Sequence, residues 1–230
     1  MIKENLKSIQ KRIHKACDSA GRSPESVTLV AVSKTKPVDM IEEALQAGHL
    51  HFGENRMQEL QEKMESFDHE DAVWHMIGTL QSNKIKYIAE RVDWIHSAAK
   101  TSHIKEINKR ARQHDRVVNV LVQVNISEEE QKSGCKPSDL PKIIEYAKHC
   151  EYIRLRGLMG IAELVEDPEE VRPQFKALKK LLDEHKHLEE GNVHLEHLSM
   201  GMTNDLEVAI EEGATMIRVG RAIFGERNYT

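Results

Sequence analysis

The sequence predicts a closed (β/α)8 barrel, an α/β fold formed as one domain over residues 1–230, with an extra helix ahead of the first strand. Three observations point there. Eight short apolar or β-branched runs recur along the 230 residues, and a helix-compatible stretch fills each gap between them. Neither G-x-G-x-x-G nor G-x-x-x-x-G-K-[ST], the phosphate loops common in open doubly wound sheets, occurs anywhere.

The elements follow in order. Ile2, Leu6, Ile9 and Ile13 recur at helical spacing, with Gly21 as a stop and Arg22-Ser23-Pro24 as the connection. The run from Val27 to Val32 suits a strand buried on both faces. Strands are expected over 27–34, 49–53, 73–78, 92–96, 117–125, 153–160, 194–199 and 215–219. Helices are expected over 38–47, 55–66, 81–90, 100–113, 138–149, 169–188 and 203–212. Pro37 suits the first turn of the helix that begins near Val38. The Glu-rich segment from Ser127 to Lys136 reads as a mobile loop after a barrel strand.

Composition narrows the classes of function. Charged residues make up 31% of the chain and the formal net charge is -5, which argues against broad nucleic-acid binding. No run approaches the roughly 20 apolar residues of a membrane span, and the N-terminus lacks the apolar core of a signal peptide. Cys17, Cys135 and Cys150 are an odd number, widely spaced, and read as reduced thiols of a cytoplasmic protein. The 13 histidines raise the question of a metal. His185 and His187 fall on different faces of a helix, and His194 and His197 on opposite faces of a strand. His49 and His51 share parity without an evident carboxylate partner, so no metal is expected.

In such a barrel the C-terminal strand ends gather at one face and build the site. Lys34 ends the first strand, with the parity of Val30 and Val32. Burial favours its neutral amine, which can attack a carbonyl and form a Schiff base; the competing reading is a lysine that snorkels to solvent. Lys36 shares that parity but lies beyond the strand, so it is expected nearer solvent. The second strand delivers Asn55, which equally suits a helix N-cap; the third delivers His75. Ser199 and Gly201 follow strand seven, while Arg218, Gly220 and Arg221 end strand eight. Barrels often hold phosphate at these last two loops, where a hydroxyl and close backbone help. Arg218 has inward parity and a permanent charge. Two tight turns and an arginine paired with an acid would explain the same residues. A ligand with an aldehyde, an aromatic nitrogen and a phosphate would use all these groups, and pyridoxal 5′-phosphate is such a ligand.

Five stretches carry a closer likeness: AVSKTKP at 31–37, HFGENR at 51–56, WHMIGTLQSNK at 74–84, RLRGLMGI at 154–161 and HLSMGMTNDLEVAIEEGATMIRVGRAIFG at 197–225. In these the chain resembles the pyridoxal phosphate homeostasis protein family, a group similar to the N-terminal barrel of fold-type III alanine racemases. The resemblance covers essentially the whole chain. It implies Lys34 as the internal aldimine lysine, with phosphate contacts from Ser199 and the backbone around Gly220 and Arg221. It implies Arg218 facing the pyridine nitrogen, with Asn55 and His75 nearby. The racemases' second, β-rich domain, which supplies an opposing tyrosine, is expected to be missing here.

The implied function is a binding protein for intracellular pyridoxal phosphate homeostasis, which buffers the cofactor or delivers it transiently to apo-enzymes. The alternative is a weak amino-acid racemase or related enzyme with His75 as the second acid/base. Lys84 and Lys132 are candidates for secondary phosphate contacts. A monomer is expected, because the racemase's second domain carries much of its dimer surface.

Overall fold

A computed structural model of the chain describes residues 1–67, 69–127 and 133–226. Lys132, Tyr229 and most of the expected mobile loop's acidic stretch lie outside the described residues. Eight parallel strands close into a barrel in sequential order. They are β1 Thr28–Val32, β2 His51–Glu54, β3 Val73–Met76, β4 Trp94–Ala98, β5 Val118–Gln123, β6 Ile153–Met159, β7 Val193–Ser199 and β8 Met216–Val219. Pairing of β1 with β8, which sets Val30 opposite Arg218, completes the ring.

The helices are α1 Ile2–Ser19, α2 Val38–Gln46, α3 Met57–Ser66, α4 Thr101–Gln113, α5 Leu140–Lys148, α6 Arg172–His185, α7 Leu206–Glu211 and α8 Arg221–Phe224. α1 buries Ile2, Leu6, Ile9, Ile13, Ala16 and Cys17, the stripe its spacing predicts. It lies along α2, α7 and α8. Since α8 is a single turn, α1 supplies the apolar cover for that side of the barrel. Arg12 bonds both carboxylate oxygens of Glu207 and the Thr203 carbonyl.

Several boundaries differ from expectation. Residues 81–90 hold not an α-helix but a 3-10 segment, Ser82–Tyr87. Their fully buried apolar anchors Ile85 and Ile88 stand three apart, which suits three residues per turn. The stretch 169–188 divides into a 3-10 turn at Pro168–Val171, α6, and a second at Lys186–Leu188. β1 ends at Val32, before Lys34. α3 begins at Met57 behind Arg56, with no side-chain cap bond, so Asn55 does not cap it.

The large apolar core lies between the sheet and the helices. A separate small cluster of Leu121, Met159 and Met216, with Trp94 against it, fills part of the bore. Much of the remaining bore is polar: His75, His96, Ser199 and Arg218 are all buried.

Candidate functional site

The C-terminal strand ends open on a cavity of about 580 Å3, within the ~300–1,000 Å3 span of small-ligand sites. Lys34, Asn55, Arg218, Gly220 and Arg221 all line it. Residues expected from three separate stretches of sequence therefore meet.

Lys34 is half-buried in the turn after β1. Pairing runs one residue past the strand, Ser33 N donating to Gly53 O at 3.0 Å. Thr35 then takes φ 63°, a left-handed conformation that is uncommon outside glycine. A buried ionic cluster holds this turn from behind. Lys63 Nζ donates to Ser33 O at 2.8 Å, to Glu54 Oε1 at 2.6 Å and to Glu59 Oε1 at 2.8 Å. Ser33 Oγ also donates to Glu54 Oε1, at 2.6 Å, and Thr35 N donates to Glu59. Burial pushes the Glu54 carboxyl upward while Lys63 opposes it. The sequence carried a signal for this cluster: Lys63 stands on the apolar stripe of α3 with Met57, Leu60 and Met64.

Lys36 lines the same cavity and, like Lys34, is half-buried. The Lys36 amine donates to the Glu226 carbonyl oxygen at 2.6 Å. Lys84 bonds Gln58 Oε1 at 3.3 Å and does not line the cavity.

Arg218 is 5% exposed. Its guanidinium donates to Ser199 Oγ at 2.7 Å and to Gly160 O at 3.0 Å. Burial draws it down to about 10, with Asp205 opposing, so it stays charged near neutrality. Ser199 and Gly201 do not line the cavity. The Ser199 hydroxyl points into the bore and takes up the arginine. Gly201, at φ +90°, accepts Arg218 N at its carbonyl at 3.1 Å.

His75 is likewise absent from the cavity wall. It lies inside the barrel, with Nε2 3.0 Å from His51 Nδ1 and Nδ1 2.9 Å from His96 Nε2. His96 Nδ1 is in turn 2.9 Å from Ser199 Oγ. Trp94 stacks on His75 at 9° between planes, with centroids 5.9 Å apart. Burial lowers His75 and His96 well below the ordinary histidine range, so both rings are neutral. Sequence reading missed His96, although strand parity places it beside His75. It also missed the wall formed by Glu163 and Leu164 after β6 and by Asn204 after β7. Loop residues carry no periodic signal.

Among the described residues no group of three or more His, Cys, Asp or Glu side chains is placed to hold a metal ion. No described helix is long and apolar enough to cross a membrane. The three cysteines are buried and unbridged.

Comparison with known proteins now adds to this geometry. The family described as "Alanine racemase, N-terminal domain" matches residues 2–228. The Pyridoxal phosphate homeostasis protein of Aquifex aeolicus is 45% identical over 226 residues, 98% of each chain. The chain belongs to this family, among its pyridoxal phosphate homeostasis proteins. The solved structure of PipY of Synechococcus elongatus with PLP bound superposes with a TM-score of 0.85 at 34% identity, covering 98% of this chain and 100% of that one. An alanine racemase of Clostridium difficile shares the fold, at a TM-score of 0.75 and 15% identity. It is covered for 57% of its length, against 97% of this chain. A single barrel is thus the homeostasis protein's whole matched extent, and only part of the racemase.

Proposed function

We propose that the chain holds pyridoxal 5′-phosphate in this cavity, reversibly bound through Lys34, and serves pyridoxal phosphate homeostasis by buffering or delivering it. The observation that carries this reading is that the Lys34 amine and the buried Arg218 guanidinium line one cavity. The donor set fits the ligand: a primary amine at Lys34, a fixed cation at Arg218, and a second guanidinium at Arg221 beside the Gly220 backbone. PipY, solved with PLP bound, supports the same reading.

When bound, the ligand would supply an aldehyde open to reversible condensation with a primary amine, with release of water, and Lys34 would provide that amine. The protein's own groups do the rest. The turn clamped by Lys63 presents the Lys34 amine. Arg218, a fixed cation in the cavity wall, would disfavour a second positive charge on a ring nitrogen held beside it, which would limit the ring's pull on electrons. Asn55 would orient the ring, while Gly220 and Arg221 with the loop after β7 would hold the phosphate. Ser199 and Gly201 act through Arg218, which both of them bond.

Racemisation needs an acid/base group on each face of the ring. His75, the expected second acid/base, does not line the cavity, and both its nitrogens are engaged inside the barrel. These features favour a carrier. In this reading it is a cytoplasmic monomer that meets its recipient apo-enzymes transiently.

Borohydride reduction followed by peptide mapping tests the site. The label is expected on Lys34, with the visible absorption of the bound ligand lost in Lys34→Ala and kept in Lys36→Ala. A label on Lys36, or unchanged absorption in Lys34→Ala, overturns the assignment.

A further inference from the structure

We infer that His51, His75, His96 and Ser199 form one hydrogen-bonded chain with a single direction, and that His75 and His96 are positioning residues that hold Arg218 at the cavity through Ser199. The chain joins β2, β3, β4 and β7 to the arginine of β8, and so crosses the bore of the barrel.

Its direction follows from hydrogen counting. A guanidinium can only donate, so Ser199 Oγ accepts from Arg218. The hydroxyl's own hydrogen is then available to His96 Nδ1, 2.9 Å away. His96 is neutral and accepts at Nδ1, so its hydrogen is on Nε2, which faces His75 Nδ1 at 2.9 Å. By the same step the His75 hydrogen is on Nε2 and is donated to His51 Nδ1 at 3.0 Å. Each neutral ring donates once and accepts once, so no ring can reverse alone. Reversing all of them would aim a second donor at Ser199 Oγ beside the arginine. The Trp94 ring, stacked on His75 and edge-on to His96, packs against both imidazoles.

The chain has a consequence for charge. Both guanidinium bonds end on neutral oxygens, and Asp205 acts on Arg218 only through its field. A carboxylate partner would cancel the cation. A polarised neutral chain instead strengthens Ser199 Oγ as an acceptor, because aligned hydrogen bonds reinforce one another. The guanidinium charge is left facing the cavity, offset by the field of Asp205, which lines it too. Its effect on a bound pyridine ring rests on the function proposed above; the direction of the chain does not.

Side-chain 15N NMR of the ligand-free full chain tests the direction without any substitution. His75 and His96 are each expected as neutral Nε2–H tautomers with unprotonated Nδ1. An Nδ1–H tautomer at either ring, or a cationic ring at neutral pH, overturns the inference. In Ser199→Ala, the His96 Nδ1 resonance should move to the position of an unbonded nitrogen; an unmoved signal also overturns it. For the positioning role, affinity for pyridoxal phosphate should fall about tenfold in His75→Leu, the equivalent of one lost hydrogen bond. It should recover to within about threefold in His75→Asn, which can still accept and donate. Equal loss in both variants, with Arg218 side-chain resonances unmoved, means His75 only fills space and sinks the role. If wild type forms no Lys34 adduct, the proposed function fails while the tautomer result still judges the chain.

Discussion

The Lys63 ammonium donates to the Ser33 carbonyl oxygen at 2.8 Å, so a residue of α3 grips the backbone one position before Lys34. The same ammonium meets Glu54, whose side chain is fully buried. The turn that presents the amine is therefore held by a charge pair withdrawn from water, and its rigidity depends on both members being present.

Removing one member alone should be severe. Lys63→Met leaves Glu54 buried and unpaired, a change that typically costs about 3–5 kcal/mol. Denaturant unfolding should report a loss of that order, with pyridoxal phosphate retained less well. Lys63→Met combined with Glu54→Leu should regain much of the stability, since replacing a buried pair with apolar groups is often neutral. A single variant as stable as wild type would count against the clamp.

Acid should destabilise the protein before its carboxylates titrate. Burial holds His49 and His103 down at about 4, against 6.5 ordinarily. The unfolded chain then binds protons that the folded rings refuse, so stability is full above the ordinary value and falls as pH drops through it towards about 4. His49 alone contributes a loss of about 2 kcal/mol between about pH 7 and about pH 5. Urea midpoints across that range should slope downward, and less steeply in His49→Gln. A flat profile would contradict the assignment of neutral buried rings.

Two glycines with positive φ should respond differently to alanine. At Gly201, φ is +90° and an added Cβ would lie 2.5 Å from Ala209 Cβ and 2.9 Å from Ile217 Cδ1. Gly21, at φ +63°, has nothing within 4 Å. Gly21→Ala should cost only the left-handed strain, about 1 kcal/mol. Gly201→Ala adds overpacking, about 1–3 kcal/mol more, and it displaces the carbonyl that accepts Arg218 N. Thermal melts of the two variants decide the comparison; equal shifts would mean that α7 yields freely.

The barrel was legible because its strands are buried on both faces and read as apolar runs separated by helical spacing. Boundaries were less so. The stretch 81–90 carried enough polar, helix-forming residues to resemble an α-helix, but its two anchors selected a 3-10 turn. For the site, Lys34, Asn55, Arg218, Gly220 and Arg221 were legible from strand parity and position at strand ends. Ser199 and His75 were identified as important, but their surroundings were not foreseen. Parity states which way a side chain points, not whether it reaches the mouth or stops inside the bore.

Local pattern alone, then, determined a closed parallel barrel with an amine at the first strand end and a cation at the last, because periodicity and strand order are properties of neighbouring residues. Tertiary structure alone decided that Lys63 reaches back to Ser33, and that His96 meets Ser199, 103 positions away. Such contacts depend on closure of the ring and on side-chain reach across it. Only the closed barrel brings β4 and β7 within one hydrogen bond of each other.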